Sequence, residues 1–131
     1  VTNDVTASLR VRLSQADAHY GGGLVAGGRL MELLGDVATE LCIRAEGDEG
    51  LFAGYSDVRF LRPCYAGDFL EAIGEVTGRG ETSLKMRFRI DRYARPRPDI
   101  SDSAADLLGE PETVLEAEGT CVVPKDKRRR I

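Results

Sequence analysis

The sequence predicts an α+β domain in which one long helix packs on an antiparallel sheet of about five strands. Three observations predict it. The apolar period is two in the first strand-like stretch, becomes three-to-four from residue 24, and returns to two after residue 50. Only one stretch is long enough for a helix of several turns. Everything after it reads as strand, so a single helix must bury its stripe against one sheet.

Each element follows in order. Over residues 7–14, Leu9, Val11 and Leu13 fall on one side and Arg10 and Arg12 on the other, the alternation of a half-buried strand. Asp17-Ala-His-Tyr-Gly-Gly-Gly23 is a glycine-rich turn. From Leu24 to about Ala45, the residues Leu30, Met31, Leu34, Val37, Ala38 and Leu41 recur at three and four and form one broad apolar face. Gly47-Asp-Glu-Gly50 stops that helix. Tyr55 to Leu61 alternates and ends at Pro63, and Phe69 to Val76 follows. After a Gly78-Arg-Gly80 turn, Leu84, Met86, Phe88 and Ile90 share one face. Residues 95–111 carry Pro96, Pro98, Pro111 and several Asp and Ser, which predicts a surface loop or insertion. Thr113 to Val123 closes the set, and residues 1–131 read as one domain without internal repeats. A sheet of this kind keeps a long edge that a second copy can cover, so a homodimer or higher homo-oligomer is expected.

Composition narrows the function classes. The net charge of −4 argues against general nucleic-acid binding. No apolar run approaches the roughly 20 residues of a membrane span, and no basic stretch followed by an apolar one marks a secretory signal at the start. Cys42, Cys64 and Cys121 are scattered, odd in number and free of any CxxC pair, which favours a reducing cytoplasm over a disulfide framework or a zinc site. No metal-ligand spacing and no Walker or Rossmann glycine pattern is present. The basic segment 125–131, with Lys125 to Arg130 reading KDKRRR, is either a solvated tail or a contact to an anionic ligand.

Three segments carry a resemblance: Asp17 to Val25 with Gly27-Gly-Arg29, then Gly35-Asp-Val-Ala-Thr-Glu40, then Gly47 to Phe52. They resemble the β-aminoacyl-CoA ammonia-lyase family (the β-alanyl-CoA and 3-aminobutyryl-CoA ammonia-lyases) of the hotdog superfamily. Phe60 to Ser83, with Pro63, Tyr65-Ala-Gly-Asp68 and Gly80-Glu-Thr-Ser83, is similar to hotdog proteins more broadly. The resemblance implies a hotdog fold, an acyl-CoA substrate, reversible elimination of ammonia, and no bound cofactor. It also implies contacts from Thr82, Ser83 and Lys85 to the CoA arm, where an ordinary hairpin turn is the plainer reading. Where the family carries Asn and a second polar residue, this chain has Gly23 and Ala26.

The residues can support that chemistry. Taking a proton from the carbon beside a thioester leaves an enolate that fixed donors must stabilise. A helix start supplies unpaired N–H groups, and Gly22, Gly23 and Leu24 lead toward one, although three glycines also simply make a tight turn. A base is needed as well. Glu32, Asp36 and Glu40 form a row at four-residue spacing, which local helix stability does not explain. Arg29 can pair with Glu32 and Arg44 with Glu40, which leaves Asp36, beside Leu33 and Val37, as the first candidate carboxylate and Glu40 as the second. Partial burial there is expected to raise the Asp36 pKa toward a working value. Which one is base and which counter-ion stays open. His19 and Tyr20 flank the glycine turn and are candidates for proton relay and hydrogen bonding, or an incidental loop pair. An acyl-CoA thioesterase, or a non-catalytic acyl-thioester binding protein, would suit the same scaffold.

Overall fold

The computed structural model describes residues 5–129. Strand β1 (Thr6–Arg12) leads through two short 3-10 turns to helix α1 (Gly27–Glu46), and four strands follow: β2 (Leu51–Phe60), β3 (Phe69–Arg79), β4 (Ser83–Pro96) and β5 (Ala105–Val122). They form one sheet in the order β1-β3-β4-β5-β2, with every neighbouring pair antiparallel. The expected α+β layout is therefore found, with β1 and β2 as its two edges.

The period of the sequence explains the packing. Leu30, Leu34, Val37 and Leu41 are buried on one side of α1, against a sheet face made by Leu70, Ala72, Val76, Leu84, Met86, Phe88 and Ile90. The helix lies close at Gly74, where an added Cβ would stand 2.7 Å from Val37 Cγ1 and 3.1 Å from Leu41 Cδ1. At its far end, Gly47 takes φ 71° and returns its N–H to the Ile43 carbonyl, the left-handed stop that glycine alone adopts freely.

Two expectations need correction. The stretch 95–111 is not a surface loop. β4 runs on to Pro96 and β5 starts at Ala105, so only the turn between them is loop. The breakers are accommodated by a register shift: Arg92 faces Glu112 while Ala94 faces Leu107, so Pro111 falls in the bulged part of β5. β2 ends opposite Leu115, so that part of β5 also has no strand on its other side among the described residues. The basic segment 125–131 is likewise not a free tail over its described part. Lys125–Lys127 make a 3-10 turn, and Arg128 lies 5% exposed with its guanidinium 3.0 Å from buried Glu46. It also donates to the carbonyls of Val123 and Ser83, while Arg129 donates to those of Glu46 and Gly47. Residues 130 and 131 lie outside the described residues.

Candidate functional site

The glycine turn is built first. Gly22 (φ 73°) and Gly23 (φ 80°) occupy left-handed backbone, and no atom beyond Ala66 Cβ at 4.0 Å would meet a side chain at either. The N–H groups of His19 and Tyr20 both donate to the Leu24 carbonyl, closing the turn on itself. Leu24 then bridges to Tyr65, the Gly23 carbonyl accepts from Ala66 N–H, and Val25 N–H donates to Cys64. The turn is thus laid against residues 63–66 instead of running into α1. The helix begins only at Gly27, capped by Ala26, which offers no side-chain acceptor. The expected helix start at Leu24 is corrected accordingly: Leu24 and Val25 spend their backbone on bridges, and the donors of the turn are distinct from those of the helix start. His19 and Tyr20 are exposed and stack edge-on with ring centroids 4.7 Å apart.

The wall behind the turn is an ion cluster with no sequence signal. Arg92 is 6% exposed and Asp68 2%. Arg92 Nη1 lies 3.0 Å from Asp68 Oδ2 and donates to the Pro63 carbonyl, while Nε and Nη2 grip Glu112 Oε1 at 3.0 and 2.8 Å. Asp68 in turn accepts the Tyr65 N–H. One guanidinium therefore ties β4, β5 and the segment that supports the glycine turn. Its partners stand 20 and 24 residues away, beyond any local motif. The bond to Arg92 holds the Glu112 carboxyl below its ordinary value.

On the other side of the turn, Asp17 accepts from Ser14 N–H and Ser14 Oγ and holds Arg29 Nε at 2.8 Å. The Ser14 backbone bond first, and then Arg29, keep its carboxyl below the usual range against the opposing effect of desolvation. This pair links the first turn of α1 to the segment before the glycines.

The acidic row on α1 behaves as its spacing foretells at both ends. Arg29 Nη1 reaches Glu32 at 3.3 Å and Arg44 Nε reaches Glu40 at 2.7 Å. Asp36 makes neither ion pair nor hydrogen bond among the described residues. It is exposed, which corrects the expectation of partial burial in the isolated protomer. At about 100° per residue, Asp36 points well away from the stripe centred on Leu34, Val37 and Leu41, and joins Glu32 and Ile43 on the outer side.

Thr82, Ser83 and Lys85 stand elsewhere. They occupy the β3–β4 hairpin, while the glycine turn lies beyond the opposite end of β3, roughly 30 Å away along an 11-residue strand. The Ser83 carbonyl receives Arg128 and the Thr82 carbonyl receives Val123 N–H, so this hairpin anchors the C-terminal segment. Within one protomer the candidate residues thus fall into three places: the turn (His19, Tyr20, Gly22, Gly23, Leu24), the middle of α1 (Asp36, Glu40) and the hairpin.

Two cavities border the turn and the helix start. One of ≈ 990 Å³ is lined by Gly22, Gly23, Tyr65, Asp68, Arg92 and residues 95–99. The other, ≈ 350 Å³, is largely apolar, with Val25, Leu30, Phe60, Leu61 and Cys64 around Gly27. The Phe60 ring covers Gly27 so closely that a Cβ there would stand 2.7 Å from it. All three cysteines are buried and free. Burial pushes the Cys64 thiol up to about 11, which suits packing and not nucleophilic attack.

Known proteins are similar to this chain in sequence and arrangement. The family model described as thioesterase superfamily matches residues 22–95. The 3-aminobutyryl-CoA ammonia lyase of Acetoanaerobium sticklandii is 55% identical over 122 residues, covering 93% of this chain and 97% of that protein. The structure of β-alanyl-CoA:ammonia lyase from Clostridium propionicum superposes with a TM-score of 0.92 at 34% identity, over 95% of this chain and 89% of that one. A hexameric hotdog fold thioesterase of Campylobacter jejuni superposes with a TM-score of 0.73 at 18% identity, over 92% and 85%. At that last identity the likeness speaks for the fold alone, and the fold is the hotdog.

Proposed function

This chain belongs to the 3-aminobutyryl-CoA ammonia lyase family within the thioesterase superfamily, and we propose from that membership that it eliminates ammonia reversibly from a β-aminoacyl-CoA. 3-Aminobutyryl-CoA and β-alanyl-CoA are the proposed substrates, and the product is the enoyl-CoA. The observation that carries this reading is the 55% identity over 122 of the 131 residues, a span that cannot avoid the glycine turn or α1.

The chemistry asks three things of the protein. A carboxylate takes the proton from the carbon beside the thioester, and the electron pair spreads onto the thioester oxygen. Fixed N–H donors meet that oxygen's charge. The carbon–carbon double bond then forms as the carbon–nitrogen bond breaks, and the substrate ammonium leaves as ammonia. We assign the base to Asp36, since it is the member of its row that no cation pairs with among the described residues. Glu40 is the counter-charge for the substrate ammonium. Its pair with Arg44 is solvent-exposed at four-residue spacing, a kind worth about 0.3–0.5 kcal/mol, so a bound ammonium can replace it. Gly22, Gly23 and Leu24 provide backbone donors, with His19 and Tyr20 at their edge for proton relay. No cofactor takes part in this scheme.

Asp36 and a glycine turn meet in this reading only across two copies of the chain. The edge strand β2 supports it: Leu51 is 77% exposed and Phe60 52%, on a strand that, among the described residues, pairs with β5 alone. A homodimer or higher homo-oligomer is therefore proposed. The described helices include none long and apolar enough to cross a membrane, and a cytoplasmic site of action is part of the proposal.

A second reading, an acyl-CoA thioesterase, is favoured by one observation. Glu32 and Glu40 are both engaged by arginines, so Asp36 is the single uncommitted carboxylate of the row, and hydrolysis needs one. Incubation of crotonyl-CoA with ammonium separates the two. Loss of enoyl absorbance without free thiol supports the lyase; thiol release with no ammonium-dependent loss supports the thioesterase; binding with neither leaves a non-catalytic acyl-thioester binding protein. Asp36→Asn is expected to abolish turnover with folding intact, and an active variant removes Asp36 from the mechanism.

A further inference from the structure

An acyl-CoA is a polyanion, and this chain has a net charge of −4, so the phosphates need a cation that no carboxylate already holds. Most of the described cations are already committed. Arg128 and Arg79 face buried Glu46, Lys125 faces Glu81, and Arg29 holds Asp17. Lys85 carries no ion pair among the described residues, but it lies ten residues before Arg95 along β4, about 30 Å from the glycine turn.

The ≈ 990 Å³ cavity beside that turn is different. Three guanidinium groups and two carboxylates line it: Arg92, Arg95 and Arg97 against Asp68 and Asp99. Arg92 is balanced by Asp68 and Glu112, and Arg97 by Asp99 and Asp106. Arg95 is exposed and has no ion pair among the described residues. Its charge reaches Asp99 and Glu112, but each of these is bonded to another arginine. Gly22 and Gly23 also line it, and their backbone is bare of side chains and approachable by a bulky anion. Pro96 and Pro98 stiffen the strand end that carries Arg95.

We propose that this cavity binds the phosphate-bearing arm of the acyl-CoA, with Arg95 as the phosphate contact at its rim and the glycine turn as the wall that leads toward the thioester. The proposal rests on the acyl-CoA reading above and moves the CoA arm away from Thr82, Ser83 and Lys85. A guanidinium is suited to this role because its planar fork matches two phosphate oxygens at once.

The test compares CoA with pantetheine, which keeps the thiol arm and lacks every phosphate. Calorimetry on the full chain measures CoA affinity for the wild type, Arg95→Glu and Lys85→Glu, and kinetics measure KM for crotonyl-CoA and for crotonyl-pantetheine. Losing one charge-assisted contact and gaining a repulsive one should weaken CoA by roughly tenfold or more. The expected pattern is that loss for Arg95→Glu, an unchanged KM for crotonyl-pantetheine, and no loss for Lys85→Glu. The proposal is overturned if Arg95→Glu binds CoA as the wild type does, if it loses both ligands equally, or if Lys85→Glu carries the loss. Failure of the lyase reading would show separately, as a wild type that binds CoA with this phosphate dependence yet adds no ammonia.

Discussion

Replacing Arg92 by Met tests how the wall behind the glycine turn is held. The guanidinium is 8% exposed and makes four polar contacts, two to Glu112, one to Asp68 and one to the Pro63 carbonyl. Methionine fills much of the same volume but leaves the Asp68 carboxylate, 3% exposed, with the Tyr65 N–H and no cation. Breaking a buried pair from one side costs about 3–5 kcal/mol, a large share of the roughly 5–15 kcal/mol by which domains are stable. With a urea slope near 2 kcal/mol per M, the unfolding midpoint should fall by about 1.5–2.5 M. The measurement needs a fixed protein concentration, since association of copies would itself stabilise the fold. Asp68→Asn added to Arg92→Met should recover part of the loss, because it removes the stranded charge while keeping an oxygen for Tyr65. A loss below about 1 kcal/mol for Arg92→Met, or no recovery in the double variant, refutes the reasoning.

Other consequences are open to measurement. Ala26→Asp should supply the missing cap of α1 and raise stability by about 1 kcal/mol, read as a melting temperature higher by about 3–4 °C for a chain of this size; no rise would mean the first turn is already satisfied. Gly74→Ala forces a methyl to 2.7 Å from Val37 and should cost about 1–3 kcal/mol in a thermal or urea melt. Asp17 and Glu112 are held below their ordinary values of 3.8 and 4.5, so their stabilisation is complete above about pH 5 and is lost as pH falls through their folded-state values. Asp17→Asn should therefore be less stable than the wild type at neutral pH and show a shallower decline on acidification; parallel acid curves would contradict this.

What the residues announced in advance was whatever depends on neighbours. The period of three and four located α1 and its buried stripe, and the alternation of Leu84 to Ile90 located the inner face of β4. The pairs Arg29–Glu32 and Arg44–Glu40 were legible because three and four residues are one helical turn. Long-range matters were hidden. Nothing near Arg92 foretells Glu112 or Asp68, since that cluster exists only once the strands are in register. Pro111 looked like a loop signal, and a bulge at an unpaired edge made it harmless. Gly21 to Gly23 looked like an overture to the helix, and the bridge from Leu24 to Tyr65 turned the chain aside. Asp36 beside Leu33 and Val37 suggested burial, yet adjacency in sequence is a large rotation on a helix, and the side chain faces outward.

The contact between Glu46 and Arg128 also bears on the order in which the molecule can be finished. The carboxylate is fully buried, and 82 residues separate it from the guanidinium that meets it. During synthesis the last turn of the helix is made early and its lock late. Arg79 comes sooner but stays at 3.7 Å, a looser hold. Arg128 follows β5, so this contact at the helix end forms only when the chain beyond the final strand is in place. The end of the helix is thus tied to a contact of long sequence separation, which no local fluctuation can form on its own.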